Sequence, residues 1–313
     1  MLDRMAASDE QPMETLTIEE ARAQECAGID ITAREPVARV EDRTVPGPAG
    51  PLPIRIYWPG ETGWWPVLMF FHGGGFIMGS LDTHDALCRR LTNGACCVTV
   101  AVDYRLAPEH PFPAAVLDCY AATAWVAAHA PKIDADPDRI AVGGTSAGGN
   151  LAAAVTLLAR DEGDPALIYQ WLIYPLMDRP GTTPSYEANA RGYRLTRAQL
   201  DWFWSLYLPD RAGERDPRAA PLQATGLHDL PPALVVTAEY DPLRDEGERY
   251  ARRLEAAGVR VQLQRHDGMV HGFFGWADLH QGANEALLDA IDALRAAFSE
   301  EAPKTSSPLS VMR

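Results

Sequence analysis

Ser146 stands alone among small residues in the run Gly144-Thr145-Ser146-Ala147-Gly148, which fits G-x-S-x-G. A short apolar segment, Ile140 to Val142, precedes it and an alanine-rich helical pattern follows it. That order predicts a strand, a sharp turn and a helix, with the serine at the tip of the turn. Such a turn holds its central residue in a strained backbone conformation and leaves little room for flanking side chains, which accounts for the glycines. The hydroxyl would then be exposed at the sheet end, beside the free N–H groups of a helix N-terminus. The chemistry this allows is nucleophilic attack. The pattern alone also suits a Gly-rich turn that binds phosphate or simply packs tightly.

A serine hydroxyl is a poor nucleophile at neutral pH, so it needs a base, and the base needs an acid to orient it. In an open parallel sheet these groups belong at the carboxyl ends of strands. His271, in Asp267-Gly-Met-Val-His271-Gly272-Phe273, follows the last apolar strand pattern, and Gly272 leaves clearance beside it. His266 falls within that strand, whereas His84, His129, His228 and His280 read as surface or internally satisfied residues. Asp241 directly follows the strand pattern 233–238 and precedes Pro242. Its rivals are Glu239, Asp245 and Asp267, and its alternative role is a helix N-cap. The order Ser146, Asp241, His271 is the nucleophile–acid–base order of one serine hydrolase class.

A third group of residues answers the electrostatic need of acyl transfer. A tetrahedral intermediate carries an oxyanion that must meet preorganised donors. His72-Gly73-Gly74-Gly75 ends the strand pattern Val67 to Phe71, and its glycines let backbone N–H groups face a ligand. With the N–H of Ala147 they would form an oxyanion hole. A phosphate loop is the alternative, but neither a lysine nor a Walker pattern follows.

The elements that must hold these residues alternate between strand and helix. Thr17-Ile-Glu-Glu20 has capping-box spacing and predicts a surface helix over 17–26. Residues 37–45 and 54–58 alternate as strands about a Pro/Gly-rich turn at 46–53, an antiparallel hairpin at a sheet edge. The runs 67–71 and 96–102 are continuously apolar, as strands covered on both faces should be. A helix is predicted over 114–130, with Val116, Tyr120, Thr123 and Ala127 on one stripe, and another from the serine turn to about residue 159. Strands over 167–174, 233–238 and 261–265 and helices over 243–257 and 283–299 complete a mostly parallel sheet with helices on both faces. Residues 178–221 break the rhythm, and their helix, N-capped by Thr196, is aromatic nearly all round at Trp202, Phe203, Trp204 and Tyr207. Ordinary packing would explain about half of those rings. Residues 300–313 are polar with Pro and Ser and read as a flexible tail.

Composition narrows the partners. A formal net charge of −15 repels nucleic acid and anionic membrane surfaces. No run of eighteen apolar residues and no secretory leader pattern is present. Five cysteines, an odd number without a C-x-x-C pair, suit a reducing compartment, so the expected location is cytoplasmic.

Together His72-Gly-Gly-Gly75, Asp103-Tyr-Arg-Leu-Ala-Pro-Glu-His-Pro-Phe-Pro113, Gly144-Thr-Ser-Ala-Gly-Gly149, Asp241-Pro-Leu-Arg-Asp-Glu246 and His271-Gly-Phe273 resemble the bacterial hormone-sensitive-lipase family of carboxylesterases. The resemblance runs from about residue 37 to 299. It implies an α/β-hydrolase fold: an eight-stranded, mostly parallel sheet flanked by helices, with a helical cap. The cap would join residues 1–36 to the insertion 178–221, around core segments 37–177 and 222–299. It assigns Ser146 as nucleophile, His271 as base and Asp241 as acid, with Gly74, Gly75 and Ala147 as oxyanion donors and His72, Gly73, Gly144 and Gly148 shaping their loops. Members hydrolyse short to medium acyl esters with no cofactor and no metal, and many form dimers, so a homodimer is expected. Most relatives carry Asp at the position of Thr145, and this chain resembles the smaller GTSAG branch. Phe76, Trp202, Phe203 and Tyr207 are the pocket candidates, and such rings favour small acyl groups. An amidase or lactonase with the same serine, an acyltransferase, and a non-catalytic small-ligand receptor on this fold are the alternatives.

Overall fold

The computed structural model describes residues 11–27, 34–179, 183–210 and 213–300. Eight strands form one sheet: β1 (Arg39–Gly47), β2 (Gly50–Trp58), β3 (Trp65–Phe71), β4 (Val98–Val102), β5 (Ala135–Thr145), β6 (Tyr169–Ile173), β7 (Ala233–Tyr240) and β8 (Val261–Val270). Their order is β1-β2-β4-β3-β5-β6-β7-β8, and from β4 to β8 every neighbouring pair is parallel. β2 runs antiparallel to both β1 and β4. The apolar run of β3 explains its central place. Val67, Met69 and Phe71 enter the core on one face of the sheet, and Leu68 and Phe70 enter the core on the other. Such a strand is stable only when both faces are covered.

Helices supply the covers: α1 (Ile18–Ala27), α2 (Asp85–Ala95), α3 (Ala114–His129), α4 (Ala147–Glu162), α5 (Pro184–Ala188), α6 (Arg197–Tyr207), α7 (Arg244–Ala256) and α8 (Gln281–Ser299). α3, α4 and α7 pack with the β3 face that carries Met69, and α2 and α8 lie on the other. Thus β3, β5, β7 and β8 all end on one rim, where His72, Ser146, Asp241 and His271 follow them directly.

Several boundaries differ from the sequence expectation. The hairpin is tighter than a turn over 46–53, because β1 and β2 stay paired down to Gly47 and Gly50. The strand expected from 96 begins at Val98. Cys96 instead closes α2 in the left-handed region at φ 50°, and the Cys97 N–H reaches the Thr92 carbonyl. On α3 the buried residues include Val116, Cys119, Ala122, Thr123 and Val126, so the stripe is rotated from the one through Tyr120 and Ala127. The reason is that apolar residues lie nearly all round this helix, which blurs its apolar periodicity. The tail from 301 onward, and residues 1–10 and 28–33, lie outside the described residues.

The chain's two outlying segments are tied to the rim by polar contacts. In α1 the capping box forms, with Glu20 Oε2 accepting from the Thr17 N–H at 2.9 Å and Thr17 Oγ1 accepting from the Glu20 N–H at 3.2 Å. Further along α1, Arg22 donates to the carbonyls of Ile77 and Ala107, and Glu25 accepts from the Gly79 N–H at 2.7 Å. The helix therefore braces the loop that follows β3. The insertion is held at its stem by Asn150, whose amide donates to the carbonyls of Leu176 and Ala219 at 2.7 and 2.8 Å. Glu246, buried in α7, accepts from the Met177 N–H at 2.6 Å, and burial pushes its carboxyl well above the usual range. Thr196 caps α6 through a full capping box with Gln199, worth about 1 kcal/mol to the helix.

Candidate active site

The elbow is built by close backbone approach. Ser146 sits between β5 and α4 at φ 55°, ψ −118°, a conformation that costs a side-chain-bearing residue about 1–3 kcal/mol. The glycines beside it are sterically required. A Cβ on Gly148 would lie 1.9 Å from the Phe71 carbonyl oxygen, and one on Gly144 would lie 2.4 Å from the same atom. With those side chains absent, the helix N-terminus is drawn against the end of β3.

From this tip a hydrogen-bonded line runs inward. Ser146 Oγ lies 2.9 Å from His271 Nε2, and His271 Nδ1 lies 2.7 Å from Asp241 Oδ2. Asp241 is fully buried, and its other oxygen accepts the Leu243 N–H at 2.9 Å. The carboxylate is an acceptor, so the Nδ1 proton points to it and Nε2 presents a lone pair to the serine. Of the rivals, Glu239 accepts from the Gly268 N–H, Asp245 from the Ser185 N–H, and Asp267 pairs with Arg265 on the surface. None of these three meets the imidazole.

The loop after β3 lies against the serine: a Cβ on Gly73 would come within 3.5 Å of Ser146 Cβ. Gly74 and Gly75 adopt φ 114° and 62°, which a side chain would oppose. Among the described residues no acceptor takes the N–H of Gly74, Gly75 or Ala147, whereas the Gly73 N–H is bound to His84 and the Ser146 N–H to the Ile173 carbonyl. Three unengaged donors beside an activated hydroxyl suit a developing oxyanion. His72 shapes the loop from behind. Its ring stacks on Tyr104 at 4.2 Å, its Nδ1–H donates to the Gly73 carbonyl at 2.7 Å, and burial lowers its pKa to about 4, so it stays neutral.

Residues 68–275 match a protein family described by the alpha/beta hydrolase fold. The chain belongs to that α/β-hydrolase family. It is 48% identical to the carboxylic ester hydrolase LipN of Mycobacterium tuberculosis over 83% of this chain and 71% of that protein. It is 38% identical to an ethyl acetate hydrolase of Pseudomonas putida over 91% and 92% of the two chains. The solved structure of a hyperthermophilic esterase from Pyrobaculum calidifontis superposes with a TM-score of 0.91 at 42% identity, covering 94% and 96%. The hormone-sensitive-lipase resemblance carried by the motifs agrees with these similarities.

Around the rim of this α/β-hydrolase the candidate pocket rings divide. Phe203 faces the Gly73–Gly75 loop closely, since a Cβ on Gly75 would meet its ring at 2.4 Å. Phe76 and Tyr207 stack on each other at 3.9 Å and are closed off from solvent. Trp202 is half-buried beside Phe203. A cavity of about 220 Å³ is lined by Phe112, Tyr207, Leu208 and Asp216 and not by Ser146, Asp241 or His271. Three supports had no signal in the sequence. Asn189 donates to the Asp241 and Glu239 carbonyls, Ser185 Oγ donates to the Pro242 carbonyl, and Arg194 donates to the Gly272 carbonyl. All three come from the insertion, so segments distant in sequence hold the loops that carry Asp241 and His271. Among the described residues no group of three His, Cys, Asp or Glu is arranged to hold a metal ion. No helix among them is long and apolar enough to cross a membrane.

Proposed function

We propose that Ser146, His271 and Asp241 carry out the hydrolysis of small esters with short to medium acyl groups, through an acyl-enzyme on Ser146. The chain is a carboxylic ester hydrolase, as its relatives' names indicate. The observation that carries the site reading is the continuous line from Asp241 through His271 to Ser146, at 2.7 and 2.9 Å, beside three unengaged N–H groups. His271 Nε2 takes the hydroxyl proton as Ser146 Oγ attacks the ester carbonyl carbon. The carbonyl π electrons move to oxygen, and the N–H groups of Gly74, Gly75 and Ala147 hold that charge. Asp241 keeps the imidazole in its tautomer and stabilises its positive charge. The intermediate collapses, the C–O bond to the alcohol breaks, and Nε2–H protonates the leaving oxygen. Water then attacks the acyl-serine, giving its proton to the same nitrogen, and Ser146 leaves with that proton restored.

The insertion 178–221 and the N-terminal segment form the cap in this reading, supported by their contacts with the acid, base and oxyanion loops. Phe203 against Gly75 narrows the site and favours small acyl groups. A homodimer and a cytoplasmic location belong to the same reading. All five cysteines are unpaired, which fits a reducing compartment, and light scattering tests the dimer.

The deciding measurement is initial rates on p-nitrophenyl esters from acetyl to dodecanoyl, with wild type beside Ser146→Ala. Turnover peaking at short chains, and lost at least about a thousandfold in a folded mutant, is expected. Near-normal turnover by Ser146→Ala would overturn the site. Turnover of amides or lactones in preference to esters would reassign the substrate class.

A further inference from the structure

Behind the oxyanion loop, one imidazole touches both halves of the site. His84 lies in the turn before α2, its ring centroid 5.8 Å from Phe70 and 5.7 Å from His72. Its Nε2 accepts the Gly73 N–H at 3.3 Å and lies 3.4 Å from Thr145 Oγ1. An amide N–H can only donate, so Nε2 must carry the lone pair and Nδ1 the proton. The other side of the ring agrees. Nδ1 is 2.8 Å from Thr83 Oγ1, which accepts the Ser80 N–H and donates its own proton to the Ser80 carbonyl, each at 2.9 Å. The His84 Nδ1 and Thr83 hydroxyl protons are then both placed, and the Thr145 hydroxyl is left to donate to the shared lone pair.

The two groups on that lone pair adjoin the site on either side. Gly73 precedes the donors Gly74 and Gly75, and Thr145 precedes Ser146. The ring must stay neutral to serve both, because a second proton would set an N–H at Nε2 against the Gly73 N–H. Burial lowers its pKa to about 3, and the Arg194 charge adds to that.

We infer that His84 is a positioning residue: its neutral imidazole fixes the oxyanion loop against the nucleophile elbow, through the Gly73 N–H and the Thr145 hydroxyl. This rests on the esterase reading given above. It also gives Thr145 a role, since a hydroxyl can donate to a neutral nitrogen whereas an ionised carboxylate can only accept. Displacing a reacting group or donor by about 1 Å costs on the order of a hundredfold in rate, so a small support behind the loop has a large effect.

The test compares His84→Met with His84→Gln. The two side chains have nearly the same length, but only glutamine places an acceptor oxygen where Nε2 stands. On p-nitrophenyl acetate, His84→Met should lose about 10- to 100-fold in kcat with KM within about threefold, and the reaction of Ser146 with a phosphonate should slow in parallel. His84→Gln should recover most of the loss while melting within a few degrees of His84→Met. Wild-type rates in His84→Met, or equal losses in both variants, would overturn the inference.

A second measurement needs no altered enzyme to be active. In the 15N spectrum of histidine-labelled wild type, with the His84 signals identified by their loss in His84→Gln, Nε2 should read as an unprotonated acceptor from pH 8 to pH 5. A protonated Nε2 in that range would overturn the inference. Failure of the esterase reading is a separate result: Ser146→Ala would still turn over, whatever His84 does.

Discussion

His271 Nδ1 lies 2.7 Å from Oδ2 of Asp241, a carboxylate with no exposed surface. Both oxygens of Asp241 are engaged by N–H donors, Oδ2 by the imidazole and Oδ1 by the Leu243 backbone. The acid therefore has one orientation, and that orientation selects the imidazole tautomer. Asp241→Asn keeps the shape but can turn an amide N–H toward Nδ1, which forces the proton onto Nε2. We expect kcat to fall by about a thousandfold or more, with KM and melting temperature little changed. Steady-state kinetics on p-nitrophenyl acetate checks this, and a loss below tenfold would mean that tautomer selection is not Asp241's role.

The elbow strain is testable apart from catalysis. Ser146 holds φ 55° and ψ −118°, where an alanine is strained and a glycine is not. Ser146→Gly should therefore be more stable than Ser146→Ala by about 1 kcal/mol, after the entropy that glycine adds to the unfolded chain. Urea unfolding of the two variants measures the difference. Equal midpoints would show that the turn is not strained.

Phe203 should set acyl length. Its ring lies over Gly75, so removing it opens space beside the oxyanion loop. Phe203→Ala is expected to move the optimum on p-nitrophenyl esters to longer chains, and to lose roughly 3 kcal/mol of stability from the buried ring. An unchanged chain-length profile would place the acyl group elsewhere.

Acid should destabilise the fold through the two histidines behind the loop. Burial lowers His72 to about 4 and His84 to about 3, against about 6.5 in an unfolded chain. Between those values the unfolded chain binds protons that the native one refuses, so stability falls as pH drops below 6.5 and levels off once each folded value is passed. Glu25 and Glu246 are raised by burial and act oppositely, since native carboxyls keep protons the unfolded chain has released as pH rises above about 4.5. The difference between wild type and His84→Gln removes the carboxyls from the comparison. Its slope should approach about 1.4 kcal/mol per pH unit between roughly pH 5.5 and 3.5, with wild type the more acid-sensitive. Parallel urea midpoints across that range would contradict a neutral buried His84.

Much of the fold was legible because its signals are local. The apolar run at 67–71, the serine turn and the Thr17 and Thr196 caps depend on a few adjacent residues, and the structure forms each of them. Periodicity failed where apolar residues lie nearly all round a helix, as on α3, and where a run of cysteine and valine disguised a helix end as the start of a strand, as at Cys96 and Cys97.

By itself the sequence placed Ser146, Asp241 and His271 at strand ends, since a serine, an aspartate and a histidine each follow a readable strand. Tertiary structure decided what lies behind and around them. His84 read as a surface or satisfied residue because nothing within a few residues of it explains a lone pair aimed at Gly73 and Thr145. Those partners lie 11 and 61 positions away and meet it only when β3 and β5 pair. Likewise Asn189 reaches the Asp241 carbonyl and Arg194 the Gly272 carbonyl across 52 and 78 positions. Hydrogen bonds act over about 3 Å in space, and a side chain's partners at that range are set by how the sheet and insertion pack.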